Sequence, residues 1–340
     1  MSDMKDKGTI QLGHGSGGKL THDLIHGIIR EYLGNDILNN FLDAAVLEMK
    51  DNRIVFTTDS YVVRPLFFPG GDIGKLCITG TINDLAMLGA VPLYLSLGLI
   101  IEEGFSFAKL KKIVMSIKQA AEASKVKVVT GDTKVVEYGK ADGIYINTSG
   151  VGVLIEGASM ESASIEPGDK ILINGGIGEH GTAILCSRGL IEFESEIKSD
   201  CAPLHAIVEN LIRSGVRIKF MRDPTRGGLA TVLAELAEKI HYDIIIEETK
   251  IPVKEDVKSI CEFVGFDPIY LANEGKFIAV VHPDDAEKAL AVMRNNESGK
   301  EAAVIGEIQN QKHGHVLMRT LVGSTRLIEM MIEDQLPRIC

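Results

Sequence analysis

The sequence predicts an α/β protein built from two domains. Three observations carry that prediction. A chain of 340 residues makes roughly two domains at ~150 residues each, both long enough to bury a core. Strand-like and helix-like patterns alternate from end to end. The 35 glycines cluster at 13–18, 70–71, 175–178 and 227–228, where sharp turns or close backbone approach are required.

Taken in order, Ile54–Thr58 reads as a short strand ending at Asp59. A helix follows Pro69-Gly70-Gly71-Asp72 and runs to Gly89. Tyr94–Ile101 reads as a strand and Ser106–Ser124 as an amphipathic helix. Val126–Thr130 is a strand ending at Gly131-Asp132, and Ile144–Ile155 alternates apolar with small or polar residues as a longer strand. The domain boundary falls within Glu156–Asp169, around Pro167-Gly168. Beyond it, Lys170–Ile173 is a strand, and Gly181–Gly189 and Pro203–Ser214 are helical. Val216–Met221 leads into Asp223-Pro224-Thr225-Arg226-Gly227-Gly228, which opens a helix from Leu229 to about Lys239. Phe277–Val281 is a strand, Pro283–Asn295 a helix, and Ala303–Ile308 with Val316–Thr320 a closing pair of strands. After about Val322 the pattern fades into a tail.

Composition limits the function classes. Hydrophobic residues at 45% and charged residues at 24% are ordinary for a globular protein and exclude disorder, collagen and coiled coil as whole-chain descriptions. A net charge of −11 argues against a broad nucleic-acid surface, although glycine amides, a few lysines and bridging metal ions can still hold phosphates. No apolar run approaches the ~20 residues that cross a bilayer, and the opening residues carry no secretory apolar core, so no membrane role is expected. Five cysteines without a Cys-x-x-Cys pair predict free thiols in a reducing cytoplasm. Cys77, Cys186, Cys201 and Cys261 lie in or near apolar segments and read as core fillers.

The cluster Gly13-His14-Gly15-Ser16-Gly17-Gly18-Lys19 satisfies G-x-G-x-x-G only nominally, since a short Thr9–Leu12 precedes it instead of a buried strand. It misses the P-loop pattern because Leu20 stands where a metal-binding hydroxyl belongs. What remains is a loop of exposed amides with one lysine, able to wrap a polyphosphate, against the plainer reading of a mobile arm. Asp59 and Asp132 at strand ends, and Asp84 on the following helix, would converge on one rim and hold magnesium; each alone is an ordinary cap or turn residue. Lys134 lies two residues after Asp132. The turn 223–228 opens a helix whose amides could face phosphate, or Asp223 or Thr225 simply caps it. Glu274, in Asn273-Glu274-Gly275, is a candidate acid or base, against a solvated loop carboxylate. His22 and His26 have metal-ligand spacing but no third ligand nearby, so a surface helix is the better reading. Cys340, at the end of the tail, is by packing alone a residue without a role.

Together these residues resemble a known family. Gly-His-Gly-Ser-Gly-Gly at 13–18, Thr-Thr-Asp-Ser at 57–60, Phe-Pro-Gly-Gly-Asp-Ile-Gly-Lys at 68–75 and Asn-Asp-Leu-Ala-Met-Leu-Gly-Ala at 83–90 are similar to the HypE family of nickel–iron hydrogenase maturation factors. So are Thr-Gly-Asp-Thr-Lys-Val-Val at 130–136, Asp-Pro-Thr-Arg-Gly-Gly-Leu-Ala at 223–230, Ala-Asn-Glu-Gly at 272–275 and the final Pro-Arg-Ile-Cys. The resemblance covers nearly the whole chain. Looser forms of the internal motifs occur in aminoimidazole ribonucleotide synthetase, selenophosphate synthetase and thiamine-monophosphate kinase. The final Pro-Arg-Ile-Cys separates this branch and gives Cys340 a role.

The resemblance implies an aminoimidazole ribonucleotide synthetase-like fold. Its parts would be a glycine-rich arm and helix at 1–44, an ATP-binding and dimer-forming domain at 45–156, a second α/β domain at 168–322 and a mobile tail at 323–340. The implied reaction dehydrates a carbamoyl group on the Cys340 sulfur to a thiocyanate, using ATP. HypF would load the carbamoyl group, and a HypC–HypD complex would receive the cyanide. By motif match Cys340, Lys134 and Glu274 are catalytic, and Asp59, Asp84 and Asp132 bind magnesium and phosphate. Asp43 is a fourth such residue, although related enzymes often carry two adjacent aspartates there and this chain has one. ATP would contact His14, Gly15, Ser16, Gly17, Gly18 and Lys19, then Lys75 and Asn83. Asp223, Thr225 and Asn273 form a second tier. The alternatives are another ATP-using enzyme of the superfamily, a small-molecule kinase or synthetase, or a carrier without catalysis. The absence of cysteine from Gly8–Lys19 argues against a selenophosphate synthetase.

Overall fold

The computed structural model describes residues 18–24, 26, 39, 44–48, 53–158, 160, 162–189, 196–331 and 336–340. The first domain contains α1 (Lys19–Leu24), β1 (Ala45–Glu48), β2 (Arg53–Tyr61), β3 (Phe67–Phe68), β4 (Gly71–Asp72) and α2 (Ile73–Met87). It continues through β5 (Ala90–Glu102), α3 (Phe107–Ala123), β6 (Lys127–Val136) and β7 (Ile144–Leu154). The second begins with β8 (Lys170–Ile173), α4 (Glu179–Ser187), α5 (His205–Arg213), β9 (Ile218–Arg222), α6 (Gly228–Ile240) and β10 (Ile244–Glu247). It closes with α7 (Glu255–Val264), β11 (Ile278–Val281), α8 (Ala286–Arg294), β12 (Ala303–Ile308), β13 (Val316–Arg319) and β14 (Thr325–Ile328).

Two large sheets organise the described elements, beside a two-stranded pair of β3 with β4. The first runs β1-β2-β7-β5-β6 and the second β14-β13-β10-β12-β8-β11-β9. Helix α2 lies between them. Its N-terminus is capped by Asp72, whose Oδ1 accepts from the amides of Gly74 (2.7 Å) and Lys75 (3.1 Å). Its sequence is apolar or small on every side, which suits a helix covered all round. Residues 76–78 share a core with Ala183 and Ile184 of α4, while 85–88 pack with Leu204, Ile207 and Leu211. Asn83 crosses the junction: its Oδ1 accepts from Leu204 N at 2.8 Å and its amide donates to the Ala202 and Glu274 carbonyls. Among the described residues no helix is long and apolar enough to cross a membrane.

The structure changes four expectations. Strand β2 does not stop before Asp59, nor β6 before Asp132; both aspartates lie within strands because pairing with β7 and β5 continues past them. The closing strands are not neighbours. Ile244–Glu247, not singled out by patterning, runs between them, antiparallel to β12 and parallel to β13. The segment 255–264 is a helix, likewise not singled out by patterning. The tail begins later than 323, because Thr325–Ile328 pairs along β13 as the last strand.

Candidate active site

Two carboxylates define the centre. Asp59, on β2, accepts through Oδ2 from Thr81 Oγ1 (3.3 Å) and from the Tyr61 hydroxyl (3.2 Å). Asp84, on α2, accepts from Thr57 Oγ1 at 2.8 Å. Thr57 and Asp59 are alternate residues of one strand, about 6.6 Å apart on one face, and Thr81 and Asp84 are one turn apart on the helix. The cross-ties therefore set the two carboxylates side by side. Helix α2 can approach this closely because position 150 of β7 is glycine; a Cβ there would lie 2.9 Å from Thr81 Cγ2. Burial, with Asp59 and Asp84 nearby, pushes the Tyr61 phenol well above its ordinary range, so it serves as a donor.

The second domain brings a third carboxyl. The 273–275 loop is held by Asp200, whose Oδ1 and Oδ2 accept from the amides of Glu274 (3.1 Å) and Gly275 (3.2 Å). Lys276 Nζ lies 3.2 Å from both Asp200 and Glu179 and keeps the Asp200 carboxylate ionised against the cost of burial. Glu274 itself is 3% exposed. Its Oε1 is buried without a hydrogen-bond partner. Burial, then Asp223, Asp200 and Asp59, push its carboxyl well above the ordinary range, while Arg226 opposes them. Arg226 sits among these groups yet remains solvent-exposed, so it lines an open cleft. Charge at Cys340, ahead of Asp59, Glu274 and Asp84, raises the Arg226 guanidinium further above its range. The turn that carries Arg226 depends on glycine. Gly227 and Gly228 have φ of 72° and 63°, and a Cβ on Gly228 would meet Ile269 O at 2.6 Å.

Residues 336–340 are docked against this centre within their own chain. Val62 N donates to Cys340 O (2.9 Å) and Arg64 N to Arg338 O (3.2 Å), just beyond the end of β2. Arg188 Nη2 donates to the carbonyls of Pro337 (2.6 Å) and Arg338 (3.0 Å). His180 is fully buried, with Nε2 2.8 Å from Ile339 O and Nδ1 2.8 Å from Ser199 Oγ. Burial holds its pKa down, so the ring is neutral and its Nε2–H faces the carbonyl. Arg338 pairs with Asp142 and donates through Nε to Val62 O at 2.9 Å. Leu336 and Ile339 are buried in the core shared with α2 and α4.

The expected residues divide accordingly. Asp59, Asp84, Asp223, Glu274 and Cys340 come together. Asp132 and Lys134 do not join them. The rows Asp59–Thr148–Leu97–Gly131 and Ser60–Asn147–Gly98–Asp132 follow from the register, and Thr148 faces α2. Asp132 is therefore on the opposite face from Asp59, three strand spacings or about 14 Å from Ser60. Lys134 pairs with Asp132 at 2.9 Å there. Asn83 and Asn273 are tied to the backbone. Asn273 accepts from Gly178 N (2.8 Å) and donates to Pro224 O and Leu271 O (both 3.0 Å), leaving no proton for a nucleotide. Lys75 donates to Gly70 O at 3.0 Å and lies near Cys201. Thr225 accepts the Gly228 amide through its carbonyl, inside the turn. Lys19 begins α1, and its amide donates to Met331 O at 2.9 Å; Gly18 O accepts from His22 N. His14, Gly15, Ser16, Gly17 and Asp43 lie outside the described residues. His22 pairs with Glu235 at 2.8 Å. Burial keeps the internal thiols protonated, with Cys201 at about 12 and Cys261 at about 11.

Magnesium fits Asp59 and Asp84, which present neighbouring carboxylate oxygens, the hard donors that ion takes. Asp132 of the same chain does not fit that set. Sequence reasoning missed Asp200, Lys276, His180 and Arg188, isolated polar residues in helices and loops that carry no motif. Arg226 stood in the quoted 223–230 motif and could have been read from it.

The AIR synthase related protein family matches through its N-terminal domain at residues 42–154 and its C-terminal domain at 166–319. Carbamoyl dehydratase HypE of Bradyrhizobium diazoefficiens is 48% identical over 98% of this chain and 96% of its own. The Escherichia coli protein of the same name is 41% identical over 97% of this chain and 99% of its own. A crystal structure of a HypE–HypF complex matches with TM-score 0.86 at 49% identity, covering 91% of this chain and 99% of that one. A crystal structure of HypE in complex with ATP matches with TM-score 0.82 at 44% identity, covering 98% of this chain and 100% of that one.

Proposed function

Because the chain belongs to the AIR synthase related family, in its HypE branch, we propose that it is an ATP-dependent carbamoyl dehydratase of hydrogenase maturation. Its substrate is a carbamoyl group borne on Cys340. One observation carries this reading. The docked 336–340 segment sets the Cys340 carbonyl 2.9 Å from Val62 N, near Arg226, in a cleft that also holds Asp59, Asp84 and Glu274, whose Oε1 has no hydrogen-bond partner. A relative solved with ATP and another solved with HypF support the nucleotide and the partner.

The reaction turns –S–C(=O)–NH2 into –S–C≡N. The C–O bond breaks, the C–N bond becomes triple and both N–H protons leave. The amide oxygen is a poor leaving group; ATP, when bound, supplies the γ-phosphoryl group with which it departs as phosphate, leaving ADP. Asp59 and Asp84 would hold magnesium against the phosphates. Arg226 offsets negative charge on the departing oxygen. Glu274 takes the amide protons; burial and the neighbouring carboxylates make it a stronger proton acceptor than an ordinary carboxylate. The buried 336–340 seat and its clamps exclude water that would hydrolyse the activated group.

The first sheet supports pairing with a second copy. Its face away from α2 exposes Phe56, Tyr94 and Ile100 at 40%, 49% and 44%. That face carries Asp132 and Lys134, so the Lys134 ammonium would serve a paired copy by orienting the carbamoyl group. After dehydration the segment leaves its seat and offers cyanide to the iron held by a HypC–HypD complex. The free internal thiols suit a cytoplasmic location.

The deciding experiment is mass spectrometry of the C-terminal peptide. Incubation with HypF, carbamoyl phosphate and ATP should add a carbamoyl group to Cys340 and then remove one water. A carbamoyl adduct that persists while ATP is hydrolysed would refute the dehydratase. A small-molecule kinase would be indifferent to Cys340→Ala.

A further inference from the structure

Away from the cleft, the second sheet carries a cluster that the reaction does not use. Parallel pairing of β10 with β13, Ile244 opposite Val316, brings their lead-in residues together. Asp243 is 4% exposed. Its Oδ1 accepts from the amides of His313 and His315, both at 3.1 Å, and its Oδ2 lies 2.9 Å from His313 Nδ1. The two imidazoles stack with centroids 5.6 Å apart and planes at 19°. Gly314 between them has φ of 72°, and a Cβ there would lie 3.2 Å from Ala237 O. One ligand atom from each of the three residues falls within 4.8 Å of the other two. Both histidines are exposed, and the neighbouring Lys312 places its ammonium over the Tyr242 ring, 5.5 Å from the centroid.

Pinning this loop requires Asp243 and the two amides. It does not require two parallel imidazoles beside the same carboxylate. We infer that Asp243, His313 and His315 form a surface site for a late first-row divalent metal ion, bound by one carboxylate oxygen and two imidazole nitrogens. Imidazole selects zinc, cobalt, nickel or copper over magnesium. Bonds of ~2.0–2.2 Å to N and O place tetrahedral donors about 3.4 Å apart. Asp243 Oδ2 and His313 Nδ1, at 2.9 Å, become neighbouring ligands once the shared proton is displaced. His315 closes the set by rotating its exposed side chain, and water fills the outer positions.

The test uses the full chain and one equivalent of Co2+. The wild type should give a visible d–d spectrum without a thiolate charge-transfer band, and Zn2+ should displace the cobalt and raise the melting temperature. His315→Ala and Asp243→Asn should each weaken binding by at least about tenfold and abolish the zinc-dependent rise. The carboxamide introduced by Asp243→Asn retains an oxygen for the two amides, and His315 is exposed, so metal-free melting should stay close to wild type. Cys340→Ser should bind cobalt as the wild type does. Wild-type affinity in both site variants, a thiolate band lost in Cys340→Ser, or no binding by the wild type would each overturn the inference.

Discussion

Replacing Glu274 by Gln is the sharpest probe of the cleft. The side chain keeps its shape and loses its capacity to take a proton. General-base catalysis contributes about 10²–10⁴-fold, so the barrier should rise by about 2.7–5.4 kcal/mol. The substitution should also change stability in a pH-dependent way. Burial and the charges of Asp223, Asp200 and Asp59 raise the folded-state pKa of Glu274 above its unfolded value. Its contribution is full below the unfolded pKa and is lost as pH rises through the folded one. Gln does not titrate, so the variant should melt above the wild type near about pH 8, with the gap closing toward about pH 4. Glu274→Asp tests position instead, since withdrawing the carboxyl by about 1.5 Å should cost on the order of 10²-fold. The assay is single-turnover dehydration of the carbamoylated peptide, read by mass, beside denaturation across pH. Turnover of Glu274→Gln within about threefold of wild type, with an unchanged pH–stability curve, would refute the assignment.

Other outcomes follow from the same geometry. Arg188→Ala removes the donors to the Pro337 and Arg338 carbonyls, and charge-assisted bonds of about 1.5–3 kcal/mol predict dehydration slowed roughly 10- to 100-fold with ATP affinity unchanged. A thiol reagent should also reach Cys340 faster in that variant. Lys276→Met leaves Asp200 buried without its cation, while Glu179 keeps Lys254, and should cost about 3–5 kcal/mol in urea denaturation. The Asp200 pKa is depressed in the folded state, so its stabilisation is present above the ordinary carboxylate range and is lost as pH falls through the depressed value. Lys134→Ala mixed with Cys340→Ala should recover activity on subunit exchange if Lys134 serves a paired copy; no recovery would return Lys134 to its own chain or remove it from the reaction.

The sequence by itself determined the α/β class, most element positions and the motif residues Asp59, Asp84, Asp223, Glu274 and Cys340. These were legible because strand and helix periods, glycine turns and short motifs are local signals. Lys170–Ile173 and Ala303–Ile308 have in the structure the boundaries that patterning predicts. Only the tertiary structure decided that Asp132 and Lys134 face away from Asp59, because the face of a strand residue depends on register across three neighbours. Tertiary packing also decided that Ile244–Glu247 separates the closing strands. The seat for Pro337–Cys340 is built from Val62, Arg64, His180 and Arg188, which are far apart in sequence and share no motif. Spacing along a chain records periodicity; it does not record which distant backbone carbonyl will need a donor once two domains close on a tail.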